Sequence, residues 1–208
     1  FIPANSHEAY WETILAGATN LTAGPDGDLH LTGDFIRVNA AQTVAGSTDV
    51  FDISRGFAFL ATQLAGDAFA VDIGGTLSGG DDLVNFADST ASGPQIFGDA
   101  ETHAGRLNGG ADTINVTGGL SGAFIMGDAR DTRGILVGGA DTINISTTSA
   151  SNLASGSYSG DNDENTGDTT GGNDKINFTG TGTSFDPALF NISGDSISVG
   201  SGGAGGFL

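Results

Sequence analysis

The sequence predicts an all-β parallel β-solenoid of about six coils with a short helical cap at its N-terminus. Three observations predict it. A phrase of the form apolar–any–Gly-Asp recurs six times at a nearly constant step. A second phrase, built on Gly-Gly-x-Asp, interleaves with the first at fixed spacing. The residues after that second aspartate alternate with period two, as a strand with one buried face does.

Taken in chain order, residues 1–20 read as the cap. Asn5 or Ser6 would open a helix over His7 to Ala16, with Glu8 and Glu12 in its first turns and Gly17 ending it. Such a helix would cover the open edge of the first coil, which a solenoid has to protect. Residues 21–199 carry the repeats. The first phrase occurs at Leu31-Thr32-Gly33-Asp34, Leu64-Ala65-Gly66-Asp67, Ile96-Phe97-Gly98-Asp99, Ile125-Met126-Gly127-Asp128, Tyr158-Ser159-Gly160-Asp161 and Ile192-Ser193-Gly194-Asp195. The steps are 33, 32, 29, 33 and 34 residues. The second phrase reads GGDDLVNFA from Gly79 to Ala87, GGADTINVT from Gly109 to Thr117, GGADTINIS from Gly138 to Ser146 and GGNDKINFT from Gly171 to Thr179. A divergent copy, GSTDVFDIS, runs from Gly46 to Ser54.

The two aspartates of a repeat are 15 residues apart in the first two repeats (Asp34 to Asp49, Asp67 to Asp82). They are 13 apart in the next three (Asp99 to Asp112, Asp128 to Asp141, Asp161 to Asp174), so each pair belongs to one structural element. After the second aspartate, Phe51 and Ile53, Val84 and Phe86, Ile114 and Val116, Ile143 and Ile145, and Ile176 and Phe178 share one strand face. Asp52, Asn85, Asn115, Asn144 and Asn177 take the other. No Asn-Gly hairpin signal joins successive copies, so equivalent strands stack in parallel, coil on coil, and the asparagines line up as a side-chain amide ladder. Residues 200–208 form a Gly-rich tail after a sixth repeat that lacks its second aspartate. That end either frays or is continued by another domain or another subunit.

Composition narrows the function. The chain has 208 residues, no cysteine, 25 acidic against six basic side chains and a formal charge of −19. Phosphate binding rests on Lys and Arg, so nucleic acid and anionic membrane surfaces are poor partners. No thiol nucleophile, disulfide or Cys-ligated metal is available. No apolar run approaches a membrane span. A hydrophobic fraction of 38% with 13 Phe separates the chain from disordered Gly-rich sequences. Of the acids, 21 are Asp and four Glu, which points to turns and metal loops and away from helical surfaces.

The middle three repeats read as carrying polar loops after Gly-Asp: AETHAGRLN (residues 100–108), ARDTRGILV (129–137) and NDENTGDTT (162–170). Their carboxylates are Asp99, Glu101 and Asp112, then Asp128, Asp131 and Asp141, then Asp161, Asp163, Glu164, Asp168 and Asp174. Stacked coils bring like charges within about 4.8 Å of each other. Such a column opposes folding unless cations neutralise it. Calcium suits the donors best, being hard and well served by Asp carboxylates and main-chain carbonyls; zinc wants His or Cys. The alternative is that these aspartates only cap turns through their own backbone.

The units IFGDA (Ile96 to Ala100), IMGDA (Ile125 to Ala129), GGADTI (Gly109 to Ile114 and Gly138 to Ile143) and GGNDKI (Gly171 to Ile176) resemble RTX, or haemolysin-type, calcium-binding repeats. With a repeat near 32 residues the chain looks like an interrupted variant of them, over residues 29 to 199. The resemblance implies a parallel β-roll in a secreted bacterial protein, with calcium between coils. It implies Asp99, Asp112, Asp128, Asp141, Asp161 and Asp174 as ligands; the loop count adds Glu101, Asp131, Asp163 and Asp168 to the candidate metal set. Asp34, Asp49, Asp67, Asp82 and Asp195 are secondary candidates.

No catalytic constellation stands out. His7, His30 and His103 are scattered, and there is no His-Glu-x-x-His, no Gly-x-Ser-x-Gly and no phosphate loop around Lys175. The enzymatic alternative is a calcium-dependent, lyase-like β-helix acting on polysaccharide, with Arg106, Arg130 or Arg133 as the basic group. The column Val50, Leu83, Thr113, Thr142, Lys175 is too irregular for an ice-binding face. The expectation is therefore a non-enzymatic, extracellular calcium-binding structural protein. It would be a repeat module or subunit of a bacterial surface assembly such as an S-layer, filament or adhesin. Its expected partners are calcium ions, further copies joined through the solenoid ends and cell-surface polysaccharide, with no nucleic acid and no membrane insertion.

Overall fold

The computed structural model describes residues 20–23, 29–53, 62–87, 94–117, 120–147, 153–180, 190–194 and 196–199. They form an all-β parallel solenoid of four sheets, with no helix among the described residues. The predicted cap helix over His7 to Ala16 and the tail of residues 200–208 lie outside them.

Each coil contributes one strand to each sheet. The first sheet stacks β2 (Leu29–Thr32), β6 (Thr62–Ala65), β10 (Gln95–Phe97), β14 (Leu120–Met126), β18 (Leu153–Ser159) and β22 (Phe190–Ser193). The second stacks β3 (Phe35–Val38), β7 (Ala68–Val71), β11 (Ala100–His103), β15 (Ala129–Thr132), β19 (Asn162–Asn165) and β23 (Ser196–Val199). The third stacks β4 (Thr43–Ala45), β8 (Thr76–Ser78), β12 (Arg106–Asn108), β16 (Ile135–Val137) and β20 (Asp168–Thr170). The fourth stacks β5 (Val50–Ile53), β9 (Leu83–Ala87), β13 (Thr113–Thr117), β17 (Thr142–Thr147) and β21 (Lys175–Gly180). All these pairings are parallel; β1 (Asn20–Ala23) alone runs antiparallel, against β2. The third and fourth sheets hold five strands each, so five coils place a strand on every face, and β22 and β23 only open the next one. The expected six coils are not reached among the described residues.

The predicted polar loops are strands. Residues 100–108, 129–137 and 162–170 form β11 with β12, β15 with β16 and β19 with β20, in register with β7 and β8. Polarity hid these strands because in β11 and β19 the two middle residues are less buried than the first and last, so the strands do not alternate. Ala100 and His103, Ala129 and Thr132, and Asn162 and Asn165 point inward, which leaves Glu101, Arg130 and Asp163 at less buried positions. The two-residue difference in aspartate spacing sits between the second and third sheets. The first two coils turn there through residues 39–42 and 72–75, closed by Gln42 N–H to Asn39 O (3.1 Å) and Gly75 N–H to Asp72 O (2.8 Å). Ala41 (φ 63°) and Gly74 (φ 82°) take the left-handed conformation at equivalent places in these turns. Later coils connect the same sheets through residues 104–105, 133–134 and 166–167 alone.

The apolar interior is two clusters. One joins the first and fourth sheets through Leu31, Leu64, Ile96, Ile125 and Tyr158 on one side and the predicted Phe51, Val84, Ile114 and Ile143 column on the other. The second joins the second and third sheets through Val38, Val71, Leu77, Leu107 and Leu136. Each fully buried side chain of this size contributes roughly 1.5–3 kcal/mol. Outside the fourth sheet the asparagine ladder forms as expected: Nδ2 of Asn115, Asn144 and Asn177 donates to Oδ1 of Asn85, Asn115 and Asn144 at 2.9, 2.8 and 2.7 Å. Asn144→Ala removes two of these bonds, and a loss of about 1–2 kcal/mol is expected in chemical denaturation.

Candidate metal centre

Between the two apolar clusters runs a belt of aspartates. The Gly-Asp phrase makes the corner between the first and second sheets, and Gly-Gly-x-Asp makes the corner between the third and fourth. Each corner sends a carboxylate to the backbone of the other. Asp67, Asp99, Asp128 and Asp161 accept from the N–H of Gly80, Gly110, Gly139 and Gly172 in their own coil, at 2.9 to 3.1 Å. Asp34 accepts likewise from Ser47 N–H. Oδ1 of Asp82, Asp112, Asp141 and Asp174 accepts from the main-chain N–H of Asp49, Asp82, Asp112 and Asp141 in the coil before, at 2.7, 2.7, 2.7 and 2.9 Å. These bonds reach across a coil or to the coil before and not to the aspartates' own turns, so in place of local turn-capping they tie the two corners and successive coils together.

The clasp explains the glycines. A Cβ on Gly66, Gly98 or Gly127 would strike Oδ2 of Asp82, Asp112 or Asp141 and the carbonyl of the corresponding glycine in the next coil. A Cβ on Gly79 or Gly109 would strike Asp99 or Asp128. Only backbone without side chains lets the two corners close on the carboxylates.

These carboxylates are almost wholly buried: Asp67, Asp99, Asp128 and Asp161 are 0% exposed, and Asp82, Asp112 and Asp141 at most 2%. Burial and mutual repulsion push their protons to stay on. Asp49 is raised to about 6, by burial first and then by Asp34. Burial raises Asp67 to about 7, with Asp34 adding to it, and raises Asp82 to about 8, with Asp67 and Asp49 adding. Asp141 rises to about 8 by burial, with Asp174 and Asp161 adding. Asp99, Asp112 and Asp128 lie well above the usual carboxylate range for the same reasons.

The residues suit a hard cation. Asp67 Oδ1 and the Oδ2 atoms of Asp82, Asp112 and Asp141 are buried without a hydrogen-bond partner. The ion pairs Arg37–Asp72, Arg130–Glu101 and Arg133–Asp131 lie apart from these four aspartates. The neighbouring donors are carboxylate and main-chain oxygens, the set calcium prefers. Among the described residues no three His, Asp or Glu side chains converge as a finished cage, so main-chain carbonyls would have to complete any coordination.

Six of the ten expected ligands, Asp99, Asp112, Asp128, Asp141, Asp161 and Asp174, lie in the belt. Four do not. Glu101 pairs with Arg130 at 3.1 Å and Asp131 with Arg133 at 2.6 Å, Asp163 lines a surface groove, and Asp168 is exposed on β20. Glu101→Gln is accordingly expected to change stability by no more than about 1 kcal/mol and to leave any cation response intact in thermal denaturation. The secondary candidates Asp34, Asp49, Asp67 and Asp82 are full members of the belt; their phrases already carried the signal. Asp195 lies outside the described residues. His103 is buried beneath the second sheet, its Nε2 2.9 Å from Thr132 Oγ1, and burial lowers it to about 4. Arg106 is held by Asn108 Oδ1 at 3.0 Å on the third sheet, apart from the belt. No protein-family model, curated protein or solved structure matches the chain.

Proposed function

We propose that this protein is an extracellular structural repeat module whose solenoid is completed by calcium bound along the aspartate belt. The observation that carries the reading is the set of buried, unpartnered carboxylate oxygens in the belt, Asp67 Oδ1 and Oδ2 of Asp82, Asp112 and Asp141, with no arginine among the described residues paired to these four. Such charge is tolerated inside a protein only when neutralised. Asp67 with Asp82, Asp99 with Asp112, and Asp128 with Asp141 face each other within a coil and repel, and are the pairs that would hold the ions. Bound calcium would supply the positive charge that cross-links the two corners. Calcium is plentiful outside cells and scarce inside, so folding would be coupled to export.

Of the two structural roles open from sequence, the register favours a module of a larger surface protein over a filament stacked end to end. A second copy placed in register on β21 would set the carboxylate of its Asp52, the ladder position paired with Asn85, against the amide oxygen of Asn177. Both are acceptors. Over the first two sheets, β22 and β23 already occupy the layer that the second copy's β2 and β3 would need. In chelator the protein is expected to lose β-structure by circular dichroism and to expand in small-angle scattering, and to recover both on adding calcium. A fold indifferent to chelation at neutral pH would defeat the proposal.

A further inference from the structure

The outer surface where the first and second sheets meet holds a groove of ≈ 230 Å³ lined by Gln95, Phe124, Arg130, Asp131, Asp163 and Glu164. Its chemistry is unlike that of the belt. Phe124 is 37% exposed, and its ring is an aromatic platform on an otherwise polar surface. Arg130 is fixed beside it by Glu101 at 3.1 Å and by Gln95 Oε1 at 3.2 Å, and Gln95 Oε1 also accepts from Gln63 Nε2 at 3.1 Å. The guanidinium is thus held by groups of the preceding coils and its charge is balanced by Glu101.

An aromatic face edged by planar amide, guanidinium and carboxylate groups is the equipment for gripping a sugar ring. The ring's C–H face stacks on the aromatic side chain, and adjacent hydroxyls are bonded in pairs by the planar groups. Asp163 and Glu164 give the groove an excess of negative charge, which excludes phosphate, sulfate and uronate groups. The site is also built for a chain. Gln63, Gln95 and Phe124 are in register on three successive coils of the first sheet, about 4.8 Å apart, so a ligand lying parallel to the solenoid axis meets one of them at each. We infer that this groove binds an oligosaccharide free of acidic groups, laid along the axis with one ring stacked on Phe124. The inference stands apart from the cation reading, because none of the groove residues belongs to the belt.

The test is titration calorimetry with cellohexaose, mannohexaose, chitohexaose and hexagalacturonate, in calcium and in chelator at acidic pH. Binding of at least one neutral hexasaccharide is expected, with hexagalacturonate silent. Phe124→Ala and Asp163→Asn should each weaken that binding at least about 10-fold, close to 1.4 kcal/mol, with an unchanged thermal midpoint showing that the fold is intact. Silence of all three neutral sugars, stronger binding of hexagalacturonate, or binding untouched by Phe124→Ala would overturn the inference.

Discussion

Gly98→Ala is expected to prevent the third coil from stacking on the fourth, at a cost of at least about 3 kcal/mol. The added methyl meets the main-chain carbonyl of Gly127 on one side and Oδ2 of Asp112 on the other. Neither gives way cheaply. The carbonyl belongs to the next coil's corner, whose backbone is fixed by Gly98 N–H to Met126 O (3.1 Å) and Asp99 N–H to Asp128 O (3.0 Å). The carboxylate is pinned by Asp82 N–H at 2.7 Å. Coils contact only their neighbours, so a failed interface divides the molecule into two short stacks with new open edges. Gly74→Ala is the matched control. A Cβ there has no neighbour nearer than Ala41 N at 3.9 Å, and Ala41 already holds the same left-handed conformation one coil earlier. Its cost should stay near 1 kcal/mol. Equal losses for the two variants in urea denaturation would contradict the clasp.

The second large effect is an inverted pH dependence. Carboxylates that pair with cations in the folded state lose stability in acid; the belt does the opposite. Its groups are raised above the unfolded value near 3.9, to about 6 at Asp49, about 7 at Asp67 and about 8 at Asp82 and Asp141. Below about pH 4 both states are protonated and no difference arises. Between there and about pH 8 the unfolded chain releases protons that the folded chain keeps, so cation-free stability falls as pH rises. Each carboxyl in that window contributes about 1.4 kcal/mol per pH unit. Denaturation in chelator should therefore show the highest stability on the acid side. A flat profile, or an optimum above neutrality in chelator, would show that the belt is not protonated as its burial requires.

The solenoid was legible because strand periodicity survives in short phrases: Ile114, Asn115 and Val116 state a buried–exposed–buried strand by themselves. The ladder followed from the same register. The second sheet was not legible because Ala100-Glu101-Thr102-His103 buries its ends and leaves its middle half-buried, a pattern that neither strict alternation nor polarity identifies. The belt was legible in its residues but not in its position. Aspartates beside glycine suggest surface turns, whereas these corners turn their carboxylates inward. The pairing of Gly-Asp with Gly-Gly-x-Asp held the clue, since glycine at both corners implies that two backbones approach each other. Glu101 and Asp131 entered the expected ligand set by proximity in sequence; the structure pairs them with Arg130, one coil on, and Arg133, two residues on, apart from the belt.

The most direct test is the thermal midpoint at about pH 5 and about pH 9, each with calcium and with chelator. A belt neutralised by protons in acid and by calcium in base predicts a midpoint at the higher pH lower by more than about 10 °C in chelator and restored by calcium. It also predicts little calcium effect at the lower pH, and a weakened rescue in Asp112→Asn. A midpoint at the higher pH that is the same with calcium and with chelator would contradict the account.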